Sequence, residues 1–105
     1  MPAAVPRDLA HPETADLVLT EVLFALSDPV RLEMVRQLAG GPLVELPCHE
    51  LGRATPKSTR SHHLKTLREA GVVRNVPFGR ERRVSLRRED LEERFPGLLA
   101  VILGR

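Results

Sequence analysis

The sequence predicts a mainly α-helical chain with one small β-hairpin. Helix-capping residues and glycines divide the first two thirds into helical segments, and the run "VVRNVPFGRERRVSLR" alternates apolar and polar residues around a glycine turn. The C-terminal segment then returns to a helical pattern. With 105 residues the chain has room for one domain with a modest core. Aromatic residues make up only 3%, so we expect that core to consist mainly of leucine and valine.

The N-terminal segment is predicted to be a flexible arm over residues 1–12, followed by a domain over residues 13–105. The arm lacks the basic start and the long apolar block of a signal peptide. From Glu13 to Leu26 the pattern predicts a helix with apolar residues around most of its circumference. A helix that buries only one face needs apolar residues on that face alone. We therefore expect this helix to contact a second surface besides the core of its own domain.

The second predicted helix has the clearest boundaries. Asp28 is a suitable N-cap, Pro29 fits the first helical position, and Gly40-Gly41 ends the helix. Its apolar side is expected to consist of Val30, Met34, Val35 and Leu38.

A short helix and a longer helix are predicted next. The segment "LPCHELGRA" holds about two helical turns from Pro47 before Gly52 interrupts them. After a tight turn, Thr55 is expected to cap a helix that begins at Pro56 and ends at Gly71. Its inward stripe comprises His63, Leu64, Leu67 and Ala70. A short helix, a turn and a longer helix is the order of a helix-turn-helix.

Beyond Gly71 the pattern favours a β-hairpin and then helix. Valines precede a turn at Phe78-Gly79-Arg80, and Val84 alternates with Leu86 after it. The final segment, "REDLEERFPGLLAVILGR", is typical of a helix with a break near Pro96-Gly97.

Charge is distributed unevenly along the chain. Residues 1–52 carry three arginines against eight acidic residues, whereas residues 53–88 carry eleven lysines and arginines against Glu69 and Glu81 alone. A basic segment of this density is either a solvated surface or a binding site for a polyanion.

The basic segment coincides with the longer helix and the hairpin, which favours double-stranded DNA as the polyanion. A helix that follows a tight turn can lie in the major groove, and a hairpin beside it can reach phosphates or the minor groove. The alternatives are that the hydroxyls on such a helix are solvated and that charge on a hairpin edge prevents strand aggregation. The candidate DNA-contacting residues are Lys57, Ser58, Thr59, Ser61, His62 and Lys65 on the helix, and Arg80, Arg82 and Arg83 on the hairpin.

Four segments carry a resemblance to a known family. In order, "LSDPVRLEMVRQLAGG", "LPCHELGRA", "STRSHHLKTLREAGVV" and "GRERRVSL" resemble the winged helix-turn-helix repressors of the ArsR/SmtB type. The resemblance implies a homodimeric transcriptional repressor whose first and last helices form the dimer interface. A cytoplasmic location is expected because the single cysteine, Cys48, fits a reducing cytosol. For this chain the expected interface residues are Leu19, Val22, Leu23, Leu98, Leu99 and Ile102.

Many members of that family release DNA when they bind a metal, but the ligands are missing here. One family site uses two cysteines that flank a single residue, and this chain has Pro47 and His49 at those places, with Cys48 between them. Another uses histidines on the final helix, and no histidine follows Arg88. We therefore predict no recognisable metal-sensing site and no cofactor, and the sequence does not identify an inducer. A redox- or metal-responsive repressor that uses Cys48 and His49 is one alternative.

Other function classes fit the sequence less well. The chain has no nucleophile elbow, phosphate loop or metal-ligand cluster, so an enzyme is not predicted. Its apolar runs are too short to span a membrane. A winged-helix module for protein assembly is the second alternative, since one fold serves several functions. The eleven cations of residues 53–88 favour DNA over assembly.

Overall fold

The computed structural model describes residues 9–40 and 54–104, together with the backbone of residues 45–47. The order of elements confirms a mainly helical chain with a hairpin near its C-terminal end. The elements are a 3-10 helix at Thr14–Asp16, α1 at Leu19–Leu26, α2 at Pro29–Leu38, β1 at Glu45–Pro47, α3 at Lys57–Glu69, β2 at Val73–Phe78, β3 at Glu81–Leu86, α4 at Arg88–Arg94 and α5 at Leu98–Ile102.

The single helix predicted from Glu13 to Leu26 is wrong, because the chain is extended at Leu17 and Val18. Leu17 turns inward and is 1% exposed in the core. Its carbonyl oxygen accepts a hydrogen bond of 3.1 Å from Nε of Arg94 on α4. Tertiary contacts at Leu17 therefore override the helical periodicity of the segment.

Helix α2 forms as predicted. The Asp28 carboxylate accepts hydrogen bonds from the backbone N–H groups of Val30 at 2.8 Å and Arg31 at 3.1 Å, and Pro29 is the first helical residue. Val30 is exposed, which corrects its predicted place on the apolar side. Arg31 is buried in its stead, one turn before Met34.

Helix α3 begins one residue later than predicted. Pro56, with extended backbone, is its N-cap and makes no side-chain capping bond, so the predicted cap at Thr55 is wrong. Gly71 ends the helix with φ of +86°, and the N–H of Val72 donates to the carbonyl of Leu67 at 2.9 Å. The predicted inward stripe is confirmed, since His63, Leu64, Leu67 and Ala70 are all buried.

The strands form one antiparallel sheet in the order β1-β3-β2. The predicted hairpin is confirmed as β2 and β3, which we call the wing, with Gly79 at φ of +64° in its turn. Strand β1 was not predicted, and it pairs Glu45 with Ser85 and Pro47 with Arg83. Pro47 thus lies in a strand, and the short helix predicted beyond it falls on residues 48–53, outside the described residues.

The C-terminal helices break where predicted, with Gly97 at φ of +88° between α4 and α5. They cover a core that contains Leu91 and Leu99 together with residues of α1, α2, α3 and the wing. No helix among the described residues is long and apolar enough to cross a membrane.

Candidate nucleic-acid interface

Helix α3 separates polar and apolar side chains on two faces. His63, Leu64 and Leu67 are buried against the core, and the predicted DNA contacts on this helix all lie in solvent. We call this exposed set the polar face of α3, which consists of Lys57, Ser58, Thr59, Ser61, His62 and Lys65. It offers hydroxyls and an imidazole between two cations, which are groups that hydrogen-bond base edges and phosphates.

A buried arginine holds α3 against the preceding helices. Nε of Arg31 donates to the carbonyl of Ala25 at 2.7 Å, and its NH2 group donates to the carbonyl of Phe24 at 3.3 Å. Its NH1 group lies 3.2 Å from Nδ1 of His63. Because arginine only donates, Nδ1 of His63 must accept and its proton must lie on Nε2. One guanidinium thus joins the end of α1 to the middle of α3.

Asp28, the N-cap of α2, lies next to Arg31 and His63. Nε2 of His63 lies 4.0 Å from Oδ1 of Asp28. The backbone hydrogen bond from Arg31 is the largest cause that lowers the pKa of Asp28, and the backbone hydrogen bond from Val30 and the charge of Arg31 act in the same direction, while desolvation opposes them. The carboxylate therefore remains charged where it caps α2 and faces α3.

The three predicted arginines of the wing have different surroundings. Arg80 is exposed at the turn. Arg82 donates from Nε to Oδ1 of Asn75 at 2.8 Å and from NH2 to the carbonyl of Asn75 at 2.6 Å. The guanidinium carbon of Arg83 lies 4.3 Å from the ring centre of Phe78. The three arginines of the wing are therefore not equivalent.

Comparison with known proteins matches this arrangement. A helix-turn-helix domain family matches residues 26–76. The chain is 37% identical over 93 residues to the uncharacterized HTH-type transcriptional regulator YceK of Bacillus subtilis (strain 168). The matched region covers 86% of this chain and 91% of YceK.

Solved structures of related regulators share the fold. The transcriptional repressor BigR from Xylella fastidiosa is 28% identical, with a TM-score of 0.60 over 80% of this chain and 84% of BigR. A possible transcriptional regulator for arsenical resistance is 30% identical, with a TM-score of 0.59 over 73% of this chain and 78% of that protein. The chain belongs to the ArsR/SmtB-type family of helix-turn-helix transcriptional regulators. Its fold is a winged helix-turn-helix.

The predicted dimer residues of this regulator divide into three groups. Leu19 and Leu23 are exposed on α1, and Leu98 and Ile102 are half-buried against the core. Val22 and Leu99 are 0% and 6% exposed within the chain itself, so they have almost no surface to offer a partner, and their contact with one stays a prediction. The apolar residues of α1 and α5 with the highest exposed fractions are Phe24, at 65%, and Val101, at 79%.

The regulator's N-terminal segment contacts the base of the wing. The carbonyls of Ala10 and Pro12 accept from Arg68 at 2.5 Å and Arg87 at 2.8 Å. Nε2 of His11 accepts from the backbone N–H of Asn75 at 3.0 Å. Residues 1–8 lie outside the described residues, and a domain boundary at residue 12 stays a prediction.

The alternative sensor residues, Cys48 and His49, also lie outside the described part of this regulator. Within the described residues, no group of three or more His, Cys, Asp or Glu side chains is placed to hold a metal ion.

Three residues that position or adjoin the candidate nucleic-acid interface were not predicted from the sequence, namely Arg31, Asn75 and Phe78. Arg31 has the spacing of a core position, three and four residues before Met34 and Val35, and that spacing was the available signal. Asn75 and Phe78 each lie two residues after a valine of β2, and they gave no separate signal of their contacts with the arginines of β3.

Proposed function

We propose that this regulator is a dimeric repressor that places α3 in the major groove of a specific double-stranded DNA sequence, with the wing against the adjacent backbone. One observation carries the proposal, namely the polar face of α3, which is exposed along its whole length while the opposite face is anchored in the core. A reading surface must be both exposed and rigidly oriented, because base contacts need correct geometry. The similarity to BigR, which is named a transcriptional repressor, supports repression.

The side chains of the polar face suit two kinds of contact. Ser61 and His62 lie mid-face, where short hydrogen-bonding groups reach base edges. Lys57 and Lys65 lie toward the two ends, where ammonium groups suit phosphates. Specificity is therefore assigned to the centre of the face and salt-dependent affinity to its ends.

A homodimer through α1 and α5 is the second part of the proposal. Leu19, Leu23 and Phe24 expose apolar surface on α1, and Val101 exposes it on α5. Burying such surface stabilises association by roughly 25 cal/mol per Å². Two-fold symmetry would present two copies of α3 to half-sites about 34 Å apart, one turn of B-DNA.

A DNA-binding titration tests the proposal. Labelled genomic fragments are titrated with the purified protein at two salt concentrations, with and without added zinc, copper, nickel and arsenite. We expect at least one fragment to bind far more tightly than random DNA. Ser61→Ala and His62→Ala should each lower affinity for that fragment by about 1 to 3 kcal/mol, with a much smaller loss on random DNA.

The control is Arg36→Ala, which removes an exposed cation of α2 whose guanidinium donates to the carbonyl of Ile102, and it should leave the discrimination between that fragment and random DNA intact. If Ser61→Ala and His62→Ala behave like this control, α3 does not read bases. Absence of DNA binding even at low salt would support a protein-assembly module instead. A metal that weakens binding more than about tenfold, equivalent to 1.4 kcal/mol, would assign a sensing role to residues such as Cys48 and His49.

A further inference from the structure

Phe78 is an exposed aromatic residue at the outer end of the wing. It is the last residue of β2, and the residue is 57% exposed. Side chains alternate between the two faces of a strand, and Asn75 and Val84, which pair with each other, are buried on the core side of the sheet. Phe78 therefore lies on the opposite face, which is turned away from the core.

Arg83 shares this outer face, because it pairs with Val76 on β2, two residues before Phe78. Its guanidinium carbon is 4.3 Å from the centre of the Phe78 ring, a cation–π distance. Within the described part of the chain, Arg83 Nε is the one buried side-chain polar atom without a hydrogen-bond partner. A buried donor without an acceptor is unfavourable. The side chain of Arg83, unlike that of Arg82, is not held by a hydrogen bond from Nε.

Arg82 has the opposite environment. It lies on the core side with Asn75, and both its Nε and NH2 groups donate to oxygens of that residue. The backbone N–H of Asn75 in turn donates to His11. The guanidinium of Arg82 thus joins β3 to β2 at Asn75, and the backbone of Asn75 in turn contacts the N-terminal segment.

We propose that Phe78 and Arg83 act as one DNA-contacting unit, in which the ring packs on deoxyribose and orients the guanidinium toward a backbone phosphate, whereas Arg82 positions the wing without contacting DNA. This inference rests on the proposed function and assigns its wing contact. A guanidinium stacked on a ring keeps its N–H edge available for bidentate bonding to phosphate. Phosphate contacts carry no sequence information, so the unit serves affinity and not base choice.

The salt dependence of binding separates the two arginines. The probe is a short random-sequence duplex at low salt, so the test does not require a known operator. Arg83→Ala should reduce the slope of log affinity against log salt by about one unit, with an unchanged thermal unfolding midpoint. Arg82→Ala should lower the unfolding midpoint and change the slope by less than about half a unit.

A double-mutant cycle tests the role of the ring. Phe78→Leu keeps an apolar side chain but removes the π face, and it should weaken binding to the same duplex by about fivefold. In the Arg83→Ala background the same change should have less than about half that effect on a logarithmic scale. Equal effects in both backgrounds would show that the ring does not act through Arg83.

Fluorescence gives an independent readout, because the chain contains no tryptophan or tyrosine. Phe78→Trp introduces a single fluorophore, whose emission should change and become protected from acrylamide when the duplex is added. Glu93→Trp on α4, also exposed, is the matched control and should not respond. If Ser61→Ala and His62→Ala alter specificity while Phe78→Trp does not respond, the wing inference fails and the proposed function stands. If the unsubstituted protein binds neither this duplex nor any genomic fragment, the proposed function itself fails.

Discussion

At the scale of single residues, the orientation of α3 depends on a few buried polar atoms. Arg31 satisfies two carbonyls at the end of α1 and one nitrogen of His63. Buried hydrogen bonds define geometry more sharply than apolar contacts do, because they require both distance and direction. The cost is that the removal of one partner leaves the others buried and unpaired.

The neighbouring histidines of α3 allow a matched test of this group. His63→Phe keeps the ring volume but removes the acceptor of Arg31, so we expect the free energy of unfolding to fall by about 1 to 3 kcal/mol. His62→Phe changes an exposed position and should alter it by less than about 0.5 kcal/mol. Urea unfolding followed by circular dichroism measures both. Equal losses would show that the Arg31–His63 contact contributes nothing specific.

Asp90 gives a prediction about pH. Partial burial alone would raise the pKa of Asp90, but hydrogen bonds from Thr14 and Arg87 and the charges of Arg87 and Arg74 bring it below its ordinary value. A lowered folded-state pKa means that this stabilisation is complete above the unfolded value of about 3.9 and is lost as pH falls through the folded value. Asp90→Asn should therefore flatten part of the acid-side decrease in unfolding free energy, and Glu93→Gln should not. Parallel acid titrations of the three proteins would contradict this.

At the scale of elements, Gly71 is the junction between α3, β2 and the N-terminal segment. Its φ of +86° turns the chain out of α3, and a Cβ there would collide with Cδ2 of Leu17 and approach Cγ of Pro12 at 3.2 Å. The position therefore requires glycine for two independent reasons, backbone conformation and space.

Gly79 shows the effect of backbone conformation without the effect of space. It also has a positive φ, of +64°, but a Cβ there meets nothing within 4 Å. Gly79→Ala should lower the free energy of unfolding by about 1 kcal/mol through backbone strain alone, and Gly71→Ala should lower it substantially more. Thermal and urea unfolding provide the comparison. Similar losses for the two variants would mean that Leu17 and Pro12 move aside without cost.

At the scale of the whole molecule, the exposed apolar residues of α1 and α5 lie on elements other than the polar face of α3 and the wing. We expect Leu23→Asp and Val101→Asp to weaken self-association by orders of magnitude without unfolding the chain, since both side chains are exposed within it. Ala15→Asp, an exposed position outside α1 and α5, is the control. Light scattering measures mass, and circular dichroism measures folding. A monomeric unsubstituted protein at high micromolar concentration would remove the dimer from the proposal.

The sequence predicted those features that depend on local patterns. The cap at Asp28, the stop at Gly71, the inward stripe of α3 and the break before Gly97 each follow from a residue type and its neighbours. The extended backbone at Leu17 could not be predicted that way, because its causes, the core and Arg94, lie far along the chain. The unequal roles of Arg82 and Arg83 likewise depend on strand register, which places adjacent residues on opposite faces.

The burial of Leu17 has a consequence for how the protein is made. Leu17 accepts a hydrogen bond from Arg94, which lies 77 residues later in the sequence. Thr14 donates a hydrogen bond to Asp90, which lies 76 residues later. Closing such long loops is slow, and it requires that α4 has already left the ribosome. The N-terminal segment is thus fixed in place only after α4 has been synthesised. The segment from Thr14 to Arg94 is therefore expected to fold as a single unit, with no N-terminal intermediate that is stable by itself.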